Sequence, residues 1–222
     1  MNFKEKIEDI LKEKSLLQHP FYMLWQQGKL TIQSLQGYAI EYYHMESSFP
    51  NFLLNASMHA DEDQTDIIMK NYNEETTAKS HVELWLDFTK SLDMVPAAVK
   101  KSKPLNSTSD LLKKFSNLTS TGLFPAISAL LAYEANLQET SATKIKGLQQ
   151  FYNISDEKSI AFFSIHGTLD IKHSHDWKEM LIQTAQSKDE QQVVLDIITE
   201  SMDLLWKFMD GIQEKHCGNV VC

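Results

Sequence analysis

The chain has 222 residues, of which 42 % are hydrophobic, and a formal net charge of −9. That is enough apolar material for one large domain with a buried core. An acidic chain suits neither a nucleic-acid backbone nor an anionic membrane surface, and all 21 cationic residues are lysine, so the planar fork that arginine offers to phosphates and carboxylates is missing.

The opening MNFKEKIEDILKEK is charged and amphipathic, unlike a signal peptide. No run of about 20 apolar residues occurs, and the longest uncharged stretch, 115–133, is interrupted by Pro125. Phe3, Ile7, Ile10 and Leu11 recur at helical spacing. HPFYMLWQQGKLT breaks the pattern, after which Thr31 caps a helix through IQSLQGYAIEYYHME. Pro50 starts another helix, to about residue 59. Residues 61–94 form one or two helices, and 95–110 read as a linker with a short helix at most. Further helices are expected at about 109–119, 124–140, 156–184 and 190–214. No segment alternates like a strand. The expectation is a single all-α domain of about seven to eight helices over 1–215, with 216–222 as a flexible C-terminal tail. The cysteines, Cys217 and Cys222, both fall in that tail and form no disulfide framework, so a cytoplasmic protein is expected, with export into a host cell left open.

Candidate chemistry begins with SIHGTLDIKHSHDW. At about 100° per residue, His166, Asp170 and His173 share one face of a helix, which Phe162 and Leu169 border. His175 points away from that face, and Asp176 reads as a surface charge. By itself this stripe is either a satisfied polar patch or half of a metal site. In NEETTAKSHVELW, Glu74 and His81 are seven apart and in helical phase, whereas Glu75 is turned about 120° from His81 and is the poorer partner. PAISALLAYEANL carries Glu134 on a nearly uncharged helix, where a carboxylate must be protonated, paired or metal-bound. Together Glu74, His81, Glu134, His166, Asp170 and His173 offer three carboxylates and three imidazoles, a set suited to two adjacent divalent metals, and to iron or manganese better than to structural zinc.

Two other groupings compete. Glu41 and His44 form a Glu-x-x-His, but no second copy exists, and a Tyr-rich helix with surface and core side chains explains it. Cys217 and Cys222 with His216 could bind metal, although a mobile tail explains them more simply. No glycine-rich phosphate loop is present.

HPFYMLWQQGKLTIQSLQGYAIEYYHMESSFPNFL resembles the N-terminal part of the TenA/PqqC group, with its haem-oxygenase-like all-α fold. NEETTAKSHVELW, LLAYEANLQETSATKIKGL and FFSIHGTLDIKHSHDW resemble a narrower branch, the chlamydial protein associating with death domains and its bacterial relatives. The resemblance runs from about residue 15 to 215. It implies an oxygen-activating dimetal centre, iron/manganese or di-iron, that uses dioxygen and an external reductant to make 4-aminobenzoate for folate. In that branch a tyrosine of the protein itself is consumed, and motif matching gives Tyr22 this part. Tyr38 and Tyr133 would be supporting tyrosines, and Lys144 the amino donor. The resemblance further implies a homodimer and a death-domain partner in a host. The alternatives are a related dimetal oxygenase acting on an external fatty acid or amine, and a host-interaction module. Thiaminase-type members need a cysteine inside the bundle, and a polyanion-binding oxidase needs basic residues that this chain lacks.

Overall fold

Capping chemistry fixes most helix starts. The computed structural model describes residues 1–77 and 79–218, with the backbone alone at 138. Asn2 caps α1 (Phe3–Glu13), Thr31 caps α3 (Ile32–Ser57) and Asp61 caps α4 (Glu62–Thr76). Ser80 caps α5 (His81–Ser91), Asp156 caps α10 (Glu157–Thr184) and Ser187 caps α11 (Lys188–His216). In each case the side-chain oxygen accepts an otherwise unpaired N–H of the first turn. The remaining elements are a 3-10 turn at Leu16–Gln18, α2 (Pro20–Gln26), α6 (Pro96–Lys100), α7 (Asn106–Thr121), α8 (Leu123–Glu134) and α9 (Leu137–Phe151). Among the described residues there are nine helices of 11 residues or more, two short ones and no strand.

Four boundaries differ from the sequence expectations. HPFYMLWQQGKLT contains α2, started by His19 as N-cap and by Pro20, whose fixed φ suits the first helical turn. Pro50 lies inside α3 and does not begin a new helix; the buried Phe49, Phe52 and Leu53 hold the segment in place against the lost hydrogen bond. The span 124–140 is not continuous, because the chain breaks after Glu134 and restarts as α9. At the C-terminus, α11 runs to His216 and Cys217 is buried, so both belong to the packed domain; Cys222 lies outside the described residues. A Cβ on Gly37 would come within 2.2 Å of the His216 ring, which shows how closely the end of α11 is seated on α3.

α10 packs on α5, α8 and α9, while α3 packs on α4, α5, α7 and α8. Between them lies an aromatic core containing Trp25, Trp85, Trp177, Tyr22, Tyr38, Phe162 and Phe163. At about 25 cal/mol per Å² and ~200 Å² per ring system, each buried tryptophan contributes about 5 kcal/mol before entropy is counted. The polar groups that interrupt this core are concentrated where α3, α4, α5, α8 and α10 face one another.

Candidate metal centre

α10 presents His166, Asp170 and His173 inward, all three buried, while His175 is exposed and Asp176 pairs with Lys172 at 3.3 Å. α5 begins at His81, and a capping box between Ser80 and Glu83 fixes that first turn so that the imidazole is buried. Asp87, farther along α5, is held by ion pairs to Lys79 and Lys90, the latter at 2.7 Å. Burial works against ionising Asp87, but the two lysines outweigh it and hold the carboxyl at about 2. Lys79, two residues before His81, is thereby tied to α5.

Seven buried side chains form two adjoining groups. Glu46, Glu75, His81 and His166 each bring one ligand atom within 4.8 Å of the others, and Glu134, Asp170 and His173 do the same. His81 Nδ1 lies 2.7 Å from Glu75 Oε2, and the His81 and His166 rings are 4.5 Å apart. His166 Nδ1 donates to the Phe162 carbonyl at 2.7 Å. A carbonyl only accepts, so Nδ1 carries the proton and Nε2 keeps its lone pair. His173 Nε2 donates to Glu74 at 2.6 Å, which leaves Nδ1 facing Glu134 at 3.4 Å and Asp170 at 3.6 Å. Asn71 and the Trp177 indole both donate to Glu134. Ligand imidazoles oriented by carbonyl or carboxylate acceptors, and a ligand carboxylate fixed by donors, are the usual outer layer of a metal site.

The electrostatics fit missing positive charge. Burial pushes Glu46 and Glu75 well above the ordinary carboxylate range, and neighbouring carboxylates add to it. Burial likewise raises Asp170 to about 8 and pulls His81 and His166 down. Burial also opposes the His173 cation, but Asp170 and Glu134 outweigh it and push the imidazole up to about 11. Glu46 Oε1 and Asp170 Oδ2 are buried without a hydrogen bond. Unpaired buried acceptors of this kind are costly. Four carboxylates match the four charges of two divalent ions, and the imidazole–carboxylate mixture suits iron or manganese.

Beside the cluster lies a group of phenols around one amine. Tyr22, Tyr38, Tyr42 and Tyr133 are buried, and Lys144 is fully buried. Lys144 Nζ has no hydrogen-bond partner and lies 5.4 Å from the Tyr22 ring, 5.4 Å from that of Tyr38 and 5.1 Å from that of Tyr42. Burial lowers the amine to about 7, with Glu46 and Asp170 opposing the shift. The Trp25 indole donates to the Lys144 carbonyl at 3.4 Å, linking α2 to α9.

Of the six residues singled out in sequence as metal ligands, five fall within the two groups. Glu74 stands outside them, on the far side of the His173 ring, and Glu75 takes the inward place. The seven-residue phase argument fails here because α4 ends at Thr76 and α5 starts at His81, so Glu74 and His81 share no helix. Glu46 was missed altogether. Its signal was legible, since Tyr38, Tyr42 and Glu46 recur every four residues and place a carboxylate on the buried tyrosine face of α3. The Glu41/His44 grouping dissolves: Glu41 accepts from Leu105 N and Thr108, and His44 meets Ser102. Among the described residues, neither His216 nor Cys217 belongs to a metal-ligand group.

A family model described as iron-containing redox enzyme matches residues 36–206, which include all seven cluster side chains. The chain belongs to this family. A 4-aminobenzoate synthase of Nitrosomonas europaea is 34 % identical to it, with 99 % of this chain and 94 % of that protein covered. A 4-aminobenzoate synthase of Chlamydia trachomatis is 29 % identical, covering 95 % of this chain and 92 % of its own length. A TenA homologue from Pseudomonas syringae superposes with a TM-score of 0.82 at 17 % identity, covering 95 % and 92 % of the two chains. A CADD-like protein from Nostoc punctiforme gives 0.77 at 17 % identity, covering 96 % and 98 %. The fold is therefore haem-oxygenase-like, and the span matched by the iron-containing redox family holds both buried carboxylate and imidazole groups. Among the described residues, no helix is long and apolar enough to cross a membrane.

Proposed function

We propose that this chain is an oxygen-activating 4-aminobenzoate synthase that draws the product from its own Tyr22, with Lys144 as the nitrogen donor. Two metals, iron with manganese or two irons, would be held by Glu46, Glu75, His81 and His166 on one side and Glu134, Asp170 and His173 on the other. When bound, they supply oxidising power by reducing dioxygen with electrons from an external reductant.

The observation that carries this reading is the Lys144 amine, buried without a hydrogen bond and 5.4 Å from the Tyr22 ring. A protonated amine has no lone pair with which to attack an oxidised ring. With its pKa lowered by burial to about 7, Lys144 keeps a substantial free-amine fraction at neutral pH. Burial also raises the Tyr22 phenol above its ordinary range, so the proton stays on the hydroxyl until the ring is oxidised. Both side chains are closed off from solvent, which favours the amine over water as the nucleophile. The rings of Tyr38, Tyr42, Trp85 and Phe162 pack against one another beside the cluster, and this favours an internal substrate over an external one.

Protein loaded with iron and manganese, then given reductant and dioxygen without any added substrate, should release 4-aminobenzoate at no more than a stoichiometric yield. Mass spectrometry of the spent chain should find Tyr22 altered, and Tyr22→Phe should abolish release. Undiminished release from Tyr22→Phe would refute the reading, and release only on adding a small molecule would favour an ordinary oxygenase.

A further inference from the structure

Tyr22, Trp25, Tyr38 and Lys144 are each at most 2 % exposed, so a molecule formed among them needs a way out. On the seam between α2 and α9 lies a cavity of about 340 Å³, lined by Gln26, Thr143, Lys146, Gly147, Gln150 and Phe151, at the small end of the range for ligand sites. Along α9, Thr143, Lys146, Gly147 and Gln150 follow the spacing of one helix face, while Lys144 and Leu148 turn inward and are fully buried. Trp25 touches both the cavity wall and the phenol group. A Cβ on Gly147 would come within 2.5 Å of its ring, and that ring is 5.6 Å from the Tyr38 ring and 6.0 Å from the Phe21 ring.

The cavity wall is chemically selective. Lys146 is exposed and forms no ion pair among the described residues, and none of the lining side chains is a carboxylate. Phe151 is 40 % exposed, and its ring is seated over Gly28, where a Cβ would meet it at 2.4 Å. An apolar ring face thus stands beside a free cation, with the amides of Gln26 and Gln150 and the Thr143 hydroxyl around them. We propose that this cavity binds a small aromatic carboxylate, and that it receives 4-aminobenzoate as the product passes Trp25 on its way to solvent. The carboxylate pairs with the Lys146 ammonium, the ring packs on Phe151, and the neutral amides and hydroxyl take the amine. The cavity beside Ala135 and Asn136 is a poorer host for an anion, because Glu8 and Glu139 line it and Glu8 occupies its Lys178 at 2.9 Å. The passage past Trp25 rests on the function proposed above; the site itself rests on Lys146 and Phe151.

Equilibrium dialysis of 4-aminobenzoate against the metal-free chain tests the site without any turnover. Saturable binding is expected at millimolar ligand, displaced by benzoate and not by aniline. Lys146→Glu should weaken it at least tenfold, and Lys12→Glu, in the cavity beside Asn136, should leave it unchanged. No saturable binding, equal displacement by aniline, full binding by Lys146→Glu or an equal loss in Lys12→Glu overturns the site. The passage is read from metal-loaded protein filtered rapidly during reaction. Thr143→Trp, which fills the cavity, should lower the 4-aminobenzoate in the filtrate, per chain with altered Tyr22, at least fivefold against the parent. Gln150→Trp, exposed on the same face, serves where Thr143→Trp folds poorly. An unchanged ratio overturns the passage. Saturable binding by a chain that releases no 4-aminobenzoate would refute the proposed function, and the passage with it, but not the site. Release without saturable binding would refute the site alone.

Discussion

Burying a lysine without a hydrogen-bond partner has a measurable cost, and at Lys144 the sign of that cost depends on pH. The folded chain loses the ammonium proton at about 7, whereas the unfolded chain keeps it to about 10.4. Between those values the unfolded state binds more protons, so this residue makes stability rise with pH by at most about 1.4 kcal/mol per unit. Below pH 7 both states are charged and the full burial penalty applies. Lys144→Met keeps the volume and removes the charge. Metal-free Lys144→Met should therefore be more stable than the parent at pH 7, with the advantage shrinking toward pH 10, as denaturant melts of the two proteins across that range would record. A constant difference would mean that Lys144 does not titrate on folding.

At the scale of elements, reaction geometry depends on how α2 meets α9. A Cβ on Gly147 would come within 2.5 Å of the Trp25 ring, whereas one on Gly167 would meet Ser141 only at 3.9 Å. Gly147→Ala should destabilise by about 1–3 kcal/mol through overpacking and should slow Tyr22 alteration by shifting α2 away from Lys144. Gly167→Ala should be neutral or stabilising by up to about 1 kcal/mol, from helix propensity alone. Thermal melts of both variants, with mass spectrometry of residue 22, check the contrast. The same elements explain what was legible in the sequence. α10 could be read because Asp156 caps it and its stripe of His166, Asp170 and His173 stays in phase along one helix. Ranking Glu74 above Glu75 by helical phase fails, because α4 ends at Thr76 and α5 starts anew at His81. Glu46 falls inside the expected helix on its tyrosine face, but its companions Glu75, His81 and His166 come from other helices, so its place in the cluster is not legible from α3 alone. Lys144 looks like a surface lysine in sequence, since only tertiary packing encloses it.

For the whole molecule, the buried cluster couples folding to metal and to pH. Without metal, Glu46, Glu75 and Asp170 hold protons that the unfolded chain loses in the ordinary carboxylate range, and His173 holds one that the unfolded chain loses near 6.5. From pH 6.5 to about 8 the folded state therefore binds more protons, and metal-free stability should fall as pH rises. His81 and His166, pulled down in the folded state, oppose this only while the unfolded chain's imidazoles still lose their protons just above 6.5. Lys144 runs the other way above about 7, so the fall is steepest where the cluster carboxylates and His173 act alone. Metal requires those carboxylates ionised and the imidazoles neutral, so binding releases protons and should tighten over the same range. Calorimetric titration with Mn²⁺ in buffers of different ionisation enthalpy measures the protons released; an affinity flat with pH would contradict the assignment.

Tyr22 is 2 % exposed and wedged against Phe21 and the Lys144 amine. On the reading proposed here, a chain that has surrendered that ring keeps its caps and its cluster but encloses a void the size of a phenol. Losing a packed aromatic costs about 3–5 kcal/mol, a large fraction of the ~5–15 kcal/mol that holds an ordinary domain together. Used molecules would differ from fresh ones by fragility rather than by shape, and a cell's ordinary proteolysis could sort one from the other without any dedicated tag.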